Sequence, residues 1–180
     1  VTQLPASTPD RDILALDQAG VRAVRFNLLR GGSEDISELE RMALRVHDLC
    51  GWHVELYVAN RELKNLRSLL ARLPRVSIDH LGLTREGFDD LVWLVERGVH
   101  VKATGFGRVD FDVPHALRTL HAANPAALMF GTDLPCTRAP RAFSVEDFGV
   151  VIDAVGSGAA AVIGENSMQL YRIESATATT

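Results

Sequence analysis

Along this chain the apolar positions alternate between two periods. Short runs in which they recur every second residue are followed by longer stretches in which they recur every third or fourth. The first helical stretch opens at Pro9-Asp10-Arg11-Asp12, carries Ile13, Leu14, Leu16 and Ala19, and closes at Gly20. The next residues predict a strand over 21–29, with Val24, Phe26 and Leu28 on one side and Arg25 and Asn27 on the other. A helix over 36–49 follows on the stripe Leu39, Met42, Ala43, Val46 and Leu49, then a strand over 53–58 that carries Tyr57. Asn60 is expected to cap the next helix, which bears Leu63, Leu66, Leu69 and Leu70 and ends by Pro74. A strand over 76–80 finishes at His80, just before Gly82, and a helix with Phe88, Leu91, Val92, Leu94 and Val95 stops at Gly98. A strand over 99–104 carries Lys102, and a helix spans 114–123. The apolar run Leu128-Met129-Phe130 reads as a buried strand that Gly131 and Pro135 turn away, so that Asp133 arrives at its mouth. A helix over 144–155 and a short one through Tyr171 complete a single domain over 1–173, with 174–180 expected to fray.

Strand and helix thus alternate through five units of about 25–35 residues, the size of a βα repeat, which predicts a parallel sheet. An open doubly wound sheet and a (β/α)8 TIM-type barrel share this local pattern. The 180 residues favour the open sheet, because a complete barrel takes about 250. Against that, the chain starts at Val1 without an initiator Met, and its first residues read as the end of a strand. A barrel that lacks its first strands is therefore a second expectation.

The balance of charge narrows the function classes. A formal net charge of −4 leaves no basic excess to advertise nucleic acid or an anionic membrane as partner. No apolar run approaches the roughly 20 residues of a membrane span. Cys50 and Cys136 form no C-x-x-C pair and fit a reducing cytoplasm.

Six polar side chains fall in or just after predicted strands: Arg25, Asn27, Tyr57, His80, Lys102 and Asp133. In a parallel sheet all strand ends point one way, so residues far apart in sequence gather at one mouth, where ligands bind. Each has a plain alternative. Asp133 could cap a turn, His80 could be a hydrogen-bonded core residue, and Arg25 and Lys102 could snorkel from the sheet instead of binding an anion. Asp79 rivals His80, but an unbroken pleat sends it to the opposite face. His47, His100, His115 and His121 lack ligand spacing and read as surface or packing residues, Trp52 and Trp93 as core, and Cys136 as a neighbour of the pocket.

Five segments carry a resemblance: Val24-Arg25-Phe26-Asn27, Trp52-His53-Val54-Glu55-Leu56, Ile78-Asp79-His80-Leu81-Gly82, Val101-Lys102-Ala103-Thr104-Gly105 and Phe130-Gly131-Thr132-Asp133-Leu134-Pro135. Their order and spacing resemble those of the amidohydrolase-related family (amidohydrolase family 2), most of all its lactonase-like branch; Gly164-Glu165-Asn166-Ser167 through Arg172 resembles the family's last helix. The resemblance implies an α/β fold of the (β/α)8 TIM-barrel type, incomplete here, with strands four to eight present. It implies a hydrolase that directs water onto a lactone or ester carbonyl of a small carboxylic acid, with Asp133 as general base and His80 at the carbonyl or a metal. Arg25, Lys102 and Arg108 would hold substrate carboxylates, with Asn27 and Tyr57 lining the same pocket. Other members are metal-dependent decarboxylases of aromatic acids. The family's first strand carries an H-x-H pair, and none occurs in these 180 residues. An inactive fragment is thus a further alternative, and zinc is expected only in a longer protein, since His80 and Asp133 are fewer than the roughly three ligands it takes. Strand edges left open are expected to lower stability and to let copies associate as a homo-oligomer.

Overall fold

A computed structural model of the protein describes residues 1–173, and the tail expected to fray, 174–180, lies outside the described residues. Five strands form one sheet: β1 (Ala23–Asn27), β2 (His53–Tyr57), β3 (Val76–Ile78), β4 (His100–Ala103) and β5 (Leu128–Phe130). They lie in chain order, each parallel to the next. The helices between and after them are α1 (Asp10–Gln18), α2 (Leu39–Cys50), α3 (Asn60–Leu70), α4 (Phe88–Val95), α5 (Val113–Ala123), α6 (Glu146–Val155) and α7 (Asn166–Tyr171).

The register explains why this sequence makes this sheet. Phe26, Leu56, Ile78, Val101 and Leu128 stand side by side across all five strands, and each is essentially buried. They form the middle row of an apolar face onto which the helices pack stripes such as Leu39, Met42, Ala43 and Val46 of α2. The alternate residues make the other face, where Arg25 lies beside Glu55 and Glu55 beside Ser77. One face is thus oily and covered by helices, and the other carries charge.

Both flanks of the sheet are engaged. Thr2 bridges Val24 in parallel, so the chain enters the sheet alongside β1. At the far side Asn166 of α7 donates from Nδ2 to the carbonyls of Pro125 and Leu128, each at 2.8 Å, which satisfies backbone acceptors beside β5. No single helix among the described residues is long and apolar enough to cross a membrane.

Two local expectations are corrected. Asn60 does not cap α3, because Ala59 holds that position; the Asn60 amide instead donates to Leu81 O at 3.0 Å and Thr84 O at 2.8 Å. It pins the loop after β3, and Gly82 makes the approach feasible, since a Cβ there would lie 1.7 Å from Asn60 Oδ1. The third strand also stops at Ile78 rather than running on to 80. His80 turns the chain at φ 51°, which breaks the pleat just where the expectation for Asp79 depended on it.

Candidate active site

Strand ends converge on one mouth. His80 follows β3, Thr104 and Arg108 follow β4, and Asp133 follows β5. His80 and Asp133 both sit in the left-handed region, at φ 51° and 57°, and Leu81, Leu83, Cys136 and Arg138 beside them share it. Such backbone costs on the order of 1–3 kcal/mol per residue and persists where surrounding contacts enforce it, commonly at functional sites.

The contacts are specific. His80 Nδ1 lies 2.7 Å from Thr104 Oγ1, while Nε2 faces Asp133 Oδ1 across 3.9 Å, too far for a direct hydrogen bond. Arg108 Nε donates to Asp133 Oδ2 at 2.7 Å, and the same guanidinium donates to Thr137 O at 3.0 Å. One carboxylate oxygen is therefore fixed and the other is free toward the imidazole. Gly105, at φ 60°, permits this crowding: a Cβ there would lie 2.8 Å from His80 Nδ1 and 2.9 Å from Arg108 Cδ. The Tyr57 ring stands edge-on to His80 at 5.5 Å. Burial holds the His80 imidazole below its ordinary value, against the opposing pull of Asp79 and Asp133, so the ring is neutral at physiological pH.

Behind the mouth runs a buried charge network. Glu55 and Asp79 are 4% and 3% exposed. Arg25 donates to Asp79 Oδ2 at 2.6 Å and reaches Glu55 Oε1 at 3.6 Å; Lys102 Nζ lies 3.2 Å from Asp79 Oδ1 and also bonds Glu55. Tyr171 of α7 donates to Glu55 from below at 3.1 Å. Burial works against the Lys102 charge, but Asp79 and Glu55 outweigh it and raise its pKa. Burial likewise opposes ionisation of Glu55, yet Lys102 and Arg25 bring its carboxyl below the usual value. Asp79 goes up, through burial first and then the Glu55 charge. Tyr171 is pushed up to about 12, chiefly by burial, and burial takes His53 down to about 3.

The sequence-predicted residues thus fall into two groups. His80, Asp133, Arg108 and Tyr57 meet at the mouth. Arg25 and Lys102 lie beneath it with carboxylate partners of their own, and Asn27 is engaged in its own turn, accepting from Arg30 N at 3.0 Å. Asp79 keeps the inner face of Ser77 and shares it with Lys102; the expected separation from His80 fails because His80 leaves the pleat to reach the mouth. Glu55 was missed, although its place two residues before Tyr57 puts both on one face. Thr104 carried no signal of its own.

The mouth opens beside Tyr57 into a cleft of about 270 Å³, lined by Arg30, Arg61, Arg108 and Arg138 with Asp110 as the one carboxylate. Arg30 also lies 5.5 Å from the Tyr57 ring centre. Four guanidinium groups at one cleft suit a ligand with more than one negative charge. A metal fits less well. Among the described residues no three His, Cys, Asp or Glu side chains converge, and the pair His80 and Asp133 falls short of the roughly three protein ligands of a catalytic zinc.

Comparison with known proteins places the chain as a whole. The family described as Amidohydrolase matches residues 1–173. A curated relative, the 2-pyrone-4,6-dicarboxylate hydrolase of Comamonas testosteroni, is 35% identical over 85 residues, which take in 46% of this chain and 28% of that protein. An Agrobacterium tumefaciens protein in its apo form superposes with a TM-score of 0.81 at 22% identity, covering 96% of this chain and 69% of that one. Amidohydrolase 2 from Bifidobacterium longum subsp. infantis gives 0.61 at 17% identity, covering 96% and 79%. At these identities the structures speak for the fold, and they make the five-stranded sheet an incomplete (β/α)8 barrel rather than an open doubly wound one. Since the match runs through the mouth residues and the strands that hold them, the chain belongs to the amidohydrolase family.

Proposed function

We propose that the protein is a hydrolase that adds water to the carbonyl of a lactone or related ester bearing carboxylate groups. The observation that carries this reading is the divided Asp133 carboxylate, with Oδ2 held by Arg108 and Oδ1 free toward His80 Nε2 at 3.9 Å, next to a cleft of four arginines. Asp133 Oδ1 takes a proton from water, and the water oxygen bonds to the carbonyl carbon. Charge moves onto the carbonyl oxygen, which faces the His80 imidazole. Collapse breaks the ring C–O bond, and the leaving oxygen recovers the proton from Asp133. One water is added overall and a ring-opened acid results. The arginines bind the substrate carboxylates, Arg108 spanning both tasks, while Arg25 and Lys102 set the potential beneath the mouth. The name of the Comamonas testosteroni relative supports a dicarboxylate lactone as the first substrate to try, and free Cys50 and Cys136 support a cytoplasmic setting.

The test is direct. Purified protein is mixed with 2-pyrone-4,6-dicarboxylate, and loss of the pyrone absorbance is followed beside carbon dioxide release from aromatic carboxylic acids. Ring opening without decarboxylation is expected. Carbon dioxide release with an intact pyrone would replace this reading with a decarboxylase, and the absence of both reactions would overturn the lactone-opening reading.

A further inference from the structure

Thr104 is the residue next to His80 that the reaction, as just drawn, leaves unused. It is 9% exposed, and among the described residues the His80 ring nitrogen is the hydrogen-bond partner of its hydroxyl, at 2.7 Å from Nδ1. Two arrangements satisfy that distance. In one the hydroxyl donates to an unprotonated Nδ1. In the other Nδ1–H donates to the hydroxyl, whose own proton is then left without an acceptor in a nearly closed site, at a cost of about 1–3 kcal/mol. The first is favoured. A neutral imidazole that accepts at Nδ1 must carry its proton on Nε2, and Nε2 is the atom that looks across the mouth to Asp133.

The surroundings hold the pair in register. A Cβ on Gly105 would meet His80 Nδ1 at 2.8 Å, and one on Gly131 would meet the Thr104 methyl at 3.0 Å. Tyr57, edge-on to the imidazole at 90°, limits its rotation from another side. A ring that can neither turn nor lose its Nδ1 partner has one tautomer.

We propose that Thr104 is a positioning residue that locks His80 in the Nε2–H tautomer, so that a neutral imidazole presents a proton to the oxygen on which charge develops. What the proton is used for rests on the hydrolase reading; the tautomer does not. With the proton on Nδ1 instead, a lone pair would face that oxygen and repel it.

The experiment uses protein labelled with ¹⁵N-histidine, observed well above neutral pH, with the His80 signals identified by their loss in His80→Gln. Wild type and Thr104→Ser should show an unprotonated Nδ1 and a protonated Nε2, and Thr104→Val a mixture of the two tautomers. Turnover should follow: kcat for pyrone ring opening falls about tenfold or more in Thr104→Val with KM little changed, and Thr104→Ser restores it. A protonated Nδ1 in wild type, or a Thr104→Val spectrum matching wild type, would overturn the proposal. If Thr104→Val does not fold, the wild-type and Thr104→Ser spectra decide it. A wild type that opens no lactone yet shows the Nε2–H signature would keep the tautomer lock and reject only the hydrolase reading.

Discussion

Replacing Lys102 with Met removes one positive charge from beneath the mouth while keeping the length of the side chain. Glu55 and Asp79, at 4% and 3% exposed, would then share Arg25 alone. Removing one partner of a fully buried pair costs about 3–5 kcal/mol. The Lys102 side chain is 19% exposed and that of Arg25 33%, so solvent screens part of this, and about 2–4 kcal/mol is expected at neutral pH. For a domain of this size that lowers the melting temperature by roughly 5–15 °C. The sign of the pH dependence follows from the two carboxylates. In the wild type the Glu55 carboxyl lies below its ordinary value, so its contribution is present above the usual carboxylate range and is lost as pH falls through the folded value. Asp79 already runs the other way, with its folded value raised, so its contribution weakens as pH rises through that window. Without Lys102, burial and mutual repulsion raise both, and the folded variant takes up protons at higher pH than the unfolded chain. Its deficit is therefore largest near neutrality and shrinks on acidification. Urea melts of both proteins at about pH 7 and at about pH 4.5, close to the ordinary carboxylate range, measure it. A deficit that stays constant or grows in acid would refute the network, as would one below about 1 kcal/mol at neutral pH.

Asp133→Asn should lower kcat for ring opening about 10²-fold or more, the worth of a general base. Its circular dichroism and melting should change little, because asparagine tolerates φ 57° and can still accept from Arg108; near wild-type turnover would move the base elsewhere. Gly105→Ala should both destabilise and inactivate. It places a methyl group 2.8 Å from His80 Nδ1 at φ 60°, whereas Gly20→Ala, at φ 94° with nothing within 4 Å, should cost backbone strain of about 1–2 kcal/mol and leave turnover alone. Melting curves and turnover of the two variants, compared side by side, check this.

The fold was legible because its signal is local. Apolar alternation and helical stripes need only a few neighbouring residues, and they place all five strands, with the ends of β1 and β3 overrun where the chain turns. The pattern could not by itself separate an open sheet from a barrel, since both are made of the same βα unit. The motifs could, because their order reports which strand each one ends. Three of the mouth residues, Tyr57, His80 and Asp133, were legible for the same reason: a polar side chain at the end of an apolar strand stands out within a window of six or seven residues, whereas Arg108, five residues beyond β4, was reached through the family resemblance alone.

What stayed hidden depends on pairs far apart in the chain. Lys102 and Arg25 read as anion binders because each is a lone cation in an apolar strand. Their partners are Glu55, 47 residues before Lys102, and Asp79, 54 after Arg25. The rule that sets Asp79 and His80 on opposite faces holds only while the pleat continues, and a single residue at φ 51° ends it. That residue is His80 itself. Asp79 itself is extended and keeps the inner face that Ser77 holds two residues earlier, where it binds Arg25 and Lys102, so the turn at His80 brings the imidazole to the mouth without moving the charge beneath it. A substitution that straightened the chain at His80 would be expected to take the imidazole out of the mouth and leave the Asp79 pairs in place.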